Sequence, residues 1–219
     1  MSRMKSSRNT DAKEQGYDAW YDQHIKVFYS ELAAIKKVLG NVYQEHRSIE
    51  IAVGTGRFAQ ALHITYGADP SRRMLELARE RNIICIQAVV EDLPLKDKSL
   101  DLALMVTIDP FMTDMQQAFA EVRRILKTDG RMVLGMIDRN SRLGDAYEKK
   151  YEKRQHEKGS YSPVKLHSVD EIKAYIHEAG FRDITIVQTL FRPLEMITDI
   201  EPVRGGSGDG GFVVIRADK

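Results

Sequence analysis

Apolar side chains recur at three- and four-residue steps near the start of the chain: Tyr17, Trp20, Tyr21, His24, Ile25, Phe28, Leu32, Ile35 and Leu39. That spacing predicts one helical face, on a single helix or two in line, ending at Gly40. The period then changes. Residues 48–53 form a short apolar run ending in Gly54-Thr55-Gly56. Four more runs, 64–68, 83–88, 100–106 and 132–137, read as strands, separated by helical patterns over 57–63, 70–81 and 115–126. Thr113 and Gln116 have the spacing of a capping box for the last of these helices, and Asp129-Gly130 reads as its end. The strands are continuous apolar runs rather than alternating ones, which is the pattern of strands buried on both faces. Strand–helix alternation of this kind predicts an α/β fold: a doubly wound, mostly parallel sheet with helices on both faces.

The last third reads differently. Residues 142–158 are charge-rich, and between 139 and 158 seven basic residues face four acidic ones. A solvated helix face explains this better than an RNA patch. Ser168-Val169-Asp170-Glu171 is a second capping box, opening a helix that runs to Gly180. A strand over 184–190, a loop with five glycines and a final strand over 212–215 complete the chain. The polar stretch 1–16 predicts a disordered tail. Residues 17–219 then read as a single domain that includes an N-terminal helical cap.

Composition narrows the partners. Lys plus Arg is 33 and Asp plus Glu is 32, so no excess of one sign points to nucleic acid or an acidic membrane. The single cysteine, Cys85, excludes an internal disulfide and reads as a buried structural thiol in its apolar run. Five other histidines are scattered without ligand spacing, so no metal site is expected. No apolar stretch reaches the length of a membrane span, and residues 1–16 show no apolar signal-peptide core. The expectation is a cytoplasmic protein.

The chemistry concentrates at strand ends, where open α/β sheets bind ligands. Gly54-x-Gly56 after the first strand lets a ligand approach backbone with no Cβ in the way. Glu50 stands four residues before Gly54, Asp69 closes the second strand, and Glu91-Asp92 follows the third. A carboxylate at Asp69 suits a ribose diol; helix capping ahead of Pro70 is the competing reading. Asp92 can accept from an exocyclic adenine amine while the Leu93 N–H donates to a ring nitrogen. Gly54 to Ala59 also fits the dinucleotide fingerprint, so a nicotinamide-dependent oxidoreductase is one alternative; no Tyr-x-x-x-Lys pair supports it. A non-catalytic cofactor-binding module is another.

Glu50-x-Ala52-x-Gly54-Thr55-Gly56, Asp69-Pro70-Ser71-x-x-Met74-Leu75 and Glu91-Asp92-Leu93-Pro94-Leu95-x-Asp97-x-Ser99-Leu100-Asp101 occur in that order. Together they resemble the class I S-adenosylmethionine-dependent methyltransferases, nearest the branch that includes the quinone-biosynthesis enzymes. The resemblance implies a Rossmann-like seven-stranded sheet with its last strand antiparallel, S-adenosylmethionine as cofactor, and methyl transfer to a small-molecule acceptor. It places Glu50, Ala52, Gly54, Gly56, Asp69, Pro70, Glu91, Asp92, Leu93, Met105 and Thr107 around the cofactor. Tyr17, Trp20, Tyr21 and Asp109 become candidates for the acceptor side, and no catalytic residue is assigned. The chain departs from the family at Ala52, where glycine is usual.

Overall fold

The computed structural model describes residues 16–40, 47–158 and 165–219, the last eight of the middle stretch as backbone only. The expected disordered tail lies outside the described residues except for Gly16. The N-terminal stripe forms two helices in line, α1 (16–23) and α2 (Ile25–Leu39), separated at His24. Gly40 stops α2 with φ 68°, and its N–H donates to the Lys36 carbonyl.

Then β1 (Ser48–Ile51), α3 (Arg57–Leu62), β2 (Tyr66–Asp69), α4 (Arg72–Glu80) and β3 (Ile84–Gln87) follow. After them come β4 (Leu100–Val106), α5 (Met115–Ile125), β5 (Leu126–Ile137), α6 (Arg142–Lys158), α7 (Val169–Glu178) and β6 (Arg182–Thr189). The chain closes with β7 (Arg204–Gly205) and β8 (Phe212–Asp218). One sheet of eight strands results, in the order β3-β2-β1-β4-β5-β8-β6-β7. The strands from β3 to β5 are mutually parallel, and β8 runs antiparallel to β5 and β6. The eighth strand is β7, two residues within the glycine-rich loop, too short for a period to show.

Alternation along each strand separates two apolar layers. Ile49, Ile51, Ala103 and Met105 pack under α5 and α7; Leu102, Leu104 and Val106 pack under α2, α3 and α4. Glu50, between Ile49 and Ile51, therefore faces the second layer, buried among apolar side chains. β1 connects to β2 on one side and lies beside β4 on the other, so the sheet order reverses there and opens a crevice at the carboxyl ends of these two strands.

Several local expectations change. Asp114, not Thr113, caps α5 by accepting from the Gln117 N–H, because Thr113 is held instead by Glu91. No loop separates α5 from β5: the chain passes from Ile125 straight into Leu126, and Asp129-Gly130 lies inside the strand. Long-range pairing overrides the local turn signal, since Leu126 pairs with Leu100 before the register shifts at Arg131–Leu102. Cys85 is half-buried, because β3 is the edge strand; its thiol lies 3.3 Å from the Ile83 carbonyl. The Ser168–Glu171 capping box forms in both directions. Among the described residues no helix is long and apolar enough to cross a membrane.

Candidate functional site

The turn after β1 is built on left-handed backbone. Ala52, Gly54 and Gly56 have φ of 57°, 52° and 83°. Gly54 faces open space, whereas a Cβ on Gly56 would lie 3.2 Å from the Ala78 Cα. The first glycine thus leaves room at the crevice and the second permits close packing of α4. Ala52 meets the same torsional demand with a side chain, at a cost in strain.

Asp69 braces this turn. One carboxylate oxygen accepts from the Gly54 N–H at 3.0 Å and the other from the Ser71 N–H at 2.8 Å. Ser71, not Asp69, caps α4 through the Met74 N–H, so the capping role is taken and Asp69 keeps one lone pair on each oxygen. Burial raises its carboxyl, against the pull of the two N–H donors.

Glu50 lies beneath the same turn. It is 2% exposed, and its Oε2 has no hydrogen-bond partner. Burial pushes its carboxyl up to about 8, against a hydrogen bond from the Ala59 backbone and with the Asp69 charge adding to the rise. A second buried acid, Glu31 of α2, is likewise raised to about 8 by burial, although Tyr21 donates to it at 2.9 Å. Tyr17 packs edge-on against Tyr21 at 5.2 Å and is held far above the usual phenol range by burial and by Glu31 and Glu50. An acid whose proton is held by burial in an apolar layer, with a free oxygen, is suited to receive a cation.

The N-terminal helix is latched over the turn by Asp18. Its carboxylate accepts from the Thr55 hydroxyl at 2.9 Å and from Arg81 at 2.8 Å, and Arg57 donates to its backbone carbonyl at 3.1 Å. Arg57 also pairs with Asp22 and lies over the Tyr21 and Phe28 rings. Neither Asp18 nor Glu31 belongs to a motif; pairing across 37 residues leaves no local signal.

The other expected residues are arranged less simply. Glu91 accepts from the Thr113 N–H and hydroxyl, so it braces the start of α5. Asp92 is exposed; its backbone N–H donates to the Val89 carbonyl at 3.2 Å, and its carboxylate bonds to none of the described residues. The Leu93 N–H, expected to meet a ligand, donates to Glu121 at 2.8 Å instead. Glu121 is drawn below its usual range chiefly by Arg124, which bonds it at 2.7 Å. Met105 is fully buried in the layer under α5. Thr107, half-buried at the end of β4, has φ 52°, a strained torsion for a β-branched residue. Pro70 is exposed beside Asp69.

Asp109 is 1% exposed and is held by His167, Oδ2 to Nδ1, at 3.2 Å. Burial raises its carboxyl and the His167 contact opposes that. His167 was one of the scattered histidines; the 58 residues between the two explain why spacing did not reveal the pair.

Two depressions open nearby. One, of about 370 Å³, lies between α6 and the loops flanking β6 and β8; Trp20, Tyr147, Leu190 and Phe191 give it apolar walls, and Arg142, Lys150, Glu195 and Asp209 are among its charged residues. The other, of about 540 Å³, lies between the loop after β4 and α7, with Pro110, Thr113, Gln116, His167 and Tyr175 in its wall. Trp20 thus reaches a cavity, whereas Tyr21 is buried against Glu31.

A sequence profile for the methyltransferase domain family matches residues 49–134. A crystal structure of a S-adenosylmethionine-dependent methyltransferase from Thermotoga maritima, a possible histamine N-methyltransferase, is 42% identical. It superposes with a TM-score of 0.86, over 94% of this chain and 95% of that one. An uncharacterized protein of Methanocaldococcus jannaschii is 36% identical over 209 residues, 95% of this chain and 98% of that one. The malonyl-[acyl-carrier protein] O-methyltransferase of Geobacter sulfurreducens is 28% identical over 192 residues, 72% of this chain and 67% of that one.

Proposed function

This chain belongs to the class I S-adenosylmethionine-dependent methyltransferases, and we propose that it methylates a small-molecule acceptor. The observation that carries the reading is the carboxyl edge of the sheet. It bears two depressions, of about 370 and 540 Å³, each sized for a small molecule and lined by mixed charges rather than a basic track. The quinone-like acceptor implied by the nearest branch falls in this class. So does the amine named for the Thermotoga relative.

The residues present fit S-adenosylmethionine. The unpartnered Glu50 Oε2 is a buried acceptor for its amino group, and the open face of Gly54 leaves room above the turn. Asp69 has two lone pairs left for the ribose hydroxyls. Asp92 is free to accept from the adenine amine, and Trp20 and Tyr17 on α1 close the N-terminal side. When bound, the cofactor supplies an electrophilic methyl group on a sulfonium whose departure leaves a neutral thioether. Little remains for the protein beyond alignment, which can supply about 7–11 kcal/mol of the barrier. Asp18 contributes by fixing α1 against Thr55.

Calorimetry with S-adenosylhomocysteine tests the cofactor site: one molecule binds per chain, and Asp69→Ala weakens binding at least tenfold. Incubating the protein and methyl-labelled cofactor with a cell extract tests the acceptor. Label in the low-molecular-weight filtrate is the expected result; label confined to protein or RNA refutes the reading.

A further inference from the structure

Asp109, just after β4, and His167, just before α7, are brought together across 58 residues and are pinned on both sides. Asp109 lies three residues beyond Val106, the last residue of β4, within about 10 Å of chain from the carboxyl edge. The His167 carbonyl accepts from the Arg139 N–H at 3.0 Å, and Ser168 begins the capping box of α7. The Nδ1 faces the buried carboxylate, so in the neutral ring that nitrogen carries the proton and the Nε2 lone pair is left free. No described residue bonds to Nε2, and the ring borders the larger depression. The charged or titratable groups facing this space are Asp109 behind the ring, Asp114 at the start of α5, Lys165 before α7 and Tyr175 on α7. One Asp109 oxygen, Oδ1, is buried without a partner. Full satisfaction of a structural carboxylate does not explain the pair.

We propose that His167 is the proton acceptor of the methyl transfer, with Asp109 as its positioning residue, and that the acceptor is a small phenol, enol or amine bound in the depression between the β4 loop and α7. This rests on the small-molecule reading above. The X–H bond of the acceptor breaks and its proton passes to Nε2. The electron pair left on X forms the X–CH₃ bond, and the S–CH₃ pair stays on sulfur as the neutral thioether. The imidazolium then returns its proton to water through the open depression. Asp109 stabilises the positive ring and holds the tautomer.

The test uses the full chain. Nitrogen-15 histidine NMR with S-adenosylhomocysteine bound reads the tautomer: Nδ1–H for His167 is expected, lost in Asp109→Asn. Transfer from methyl-labelled S-adenosylmethionine is then measured on a panel of phenols, enols and primary amines. His167→Gln lowers kcat about 100-fold at pH 7 with KM little changed. The deficit shrinks on a phenol above its own pKa, where no base is needed. S-adenosylhomocysteine affinity in His167→Gln stays within twofold and reports a folded protein. An Nε2–H tautomer, an unchanged kcat, or a loss seen in Trp20→Ala at unchanged S-adenosylhomocysteine affinity but not in His167→Gln overturns the proposal; the last would put the acceptor in the aromatic cavity. Transfer to no member of the panel by a protein that binds S-adenosylhomocysteine overturns it too. Failure to bind S-adenosylhomocysteine would instead overturn the cofactor site.

Discussion

Replacing Glu50 by Gln should make the cofactor-free protein more stable while weakening its cofactor site. The folded protein holds Glu50 at about 8, against an ordinary value of 4.5. Above pH 4.5 the unfolded chain gives up this proton while the folded chain keeps it, so folding grows less favourable as pH rises and the effect levels off above pH 8. At 1.36 kcal/mol per pH unit, the penalty is about 1 kcal/mol at pH 5 and about 4 kcal/mol at pH 8. Gln has nearly the same shape and no proton to lose. Urea denaturation should therefore show the variant and the parent almost equal at pH 4.5 and separated by several kcal/mol at pH 8, the variant being the more stable. Glu31, held to the same value by burial, contributes a parallel pH slope to both proteins and cancels in the comparison. Calorimetry on the same two samples should show at least tenfold weaker S-adenosylhomocysteine binding in the variant, because the ammonium loses its carboxylate. A pH-independent difference between the two proteins, or a variant less stable at pH 8, would refute the burial argument. Unchanged affinity would detach Glu50 from the cofactor.

Ala52→Gly relieves a left-handed torsion at φ 57°. The strain of about 1–3 kcal/mol is offset in part by about 0.4–1 kcal/mol of unfolded-chain entropy, and a net gain of about 1 kcal/mol should appear in the urea midpoint. Gly135→Ala places a Cβ 2.6 Å from the Phe212 Cζ, between β5 and β8, and should cost about 1–3 kcal/mol by the same measurement. Asp18→Ala removes the acceptor of Thr55 and Arg81, so hydrogen exchange in α1 should quicken at least tenfold while that of β4 stays unchanged.

How legible the site was depended on how local each arrangement is. Gly54 and Gly56 are readable because their torsions depend on neighbours in sequence, and Ser168 with Glu171 because a capping box closes within four residues. The partner of the Leu93 N–H was not readable for the opposite reason: it donates to Glu121, 28 residues further on. Thr113 lost its capping role to Asp114 because Glu91, also distant, holds it.

The same division runs through the whole molecule. The period of apolar residues and the capping signals determined the doubly wound sheet, since each is a local preference repeated along the chain, and three ordered motifs carried the family resemblance that implies the cofactor. Only the tertiary structure decided that β5 begins directly at the end of α5, that a short eighth strand forms in the glycine loop, and that Glu50 is buried without a partner. Only it brought His167 to Asp109. Protonation and pairing depend on what surrounds a side chain in space, and packing assembles those surroundings from residues tens of positions apart.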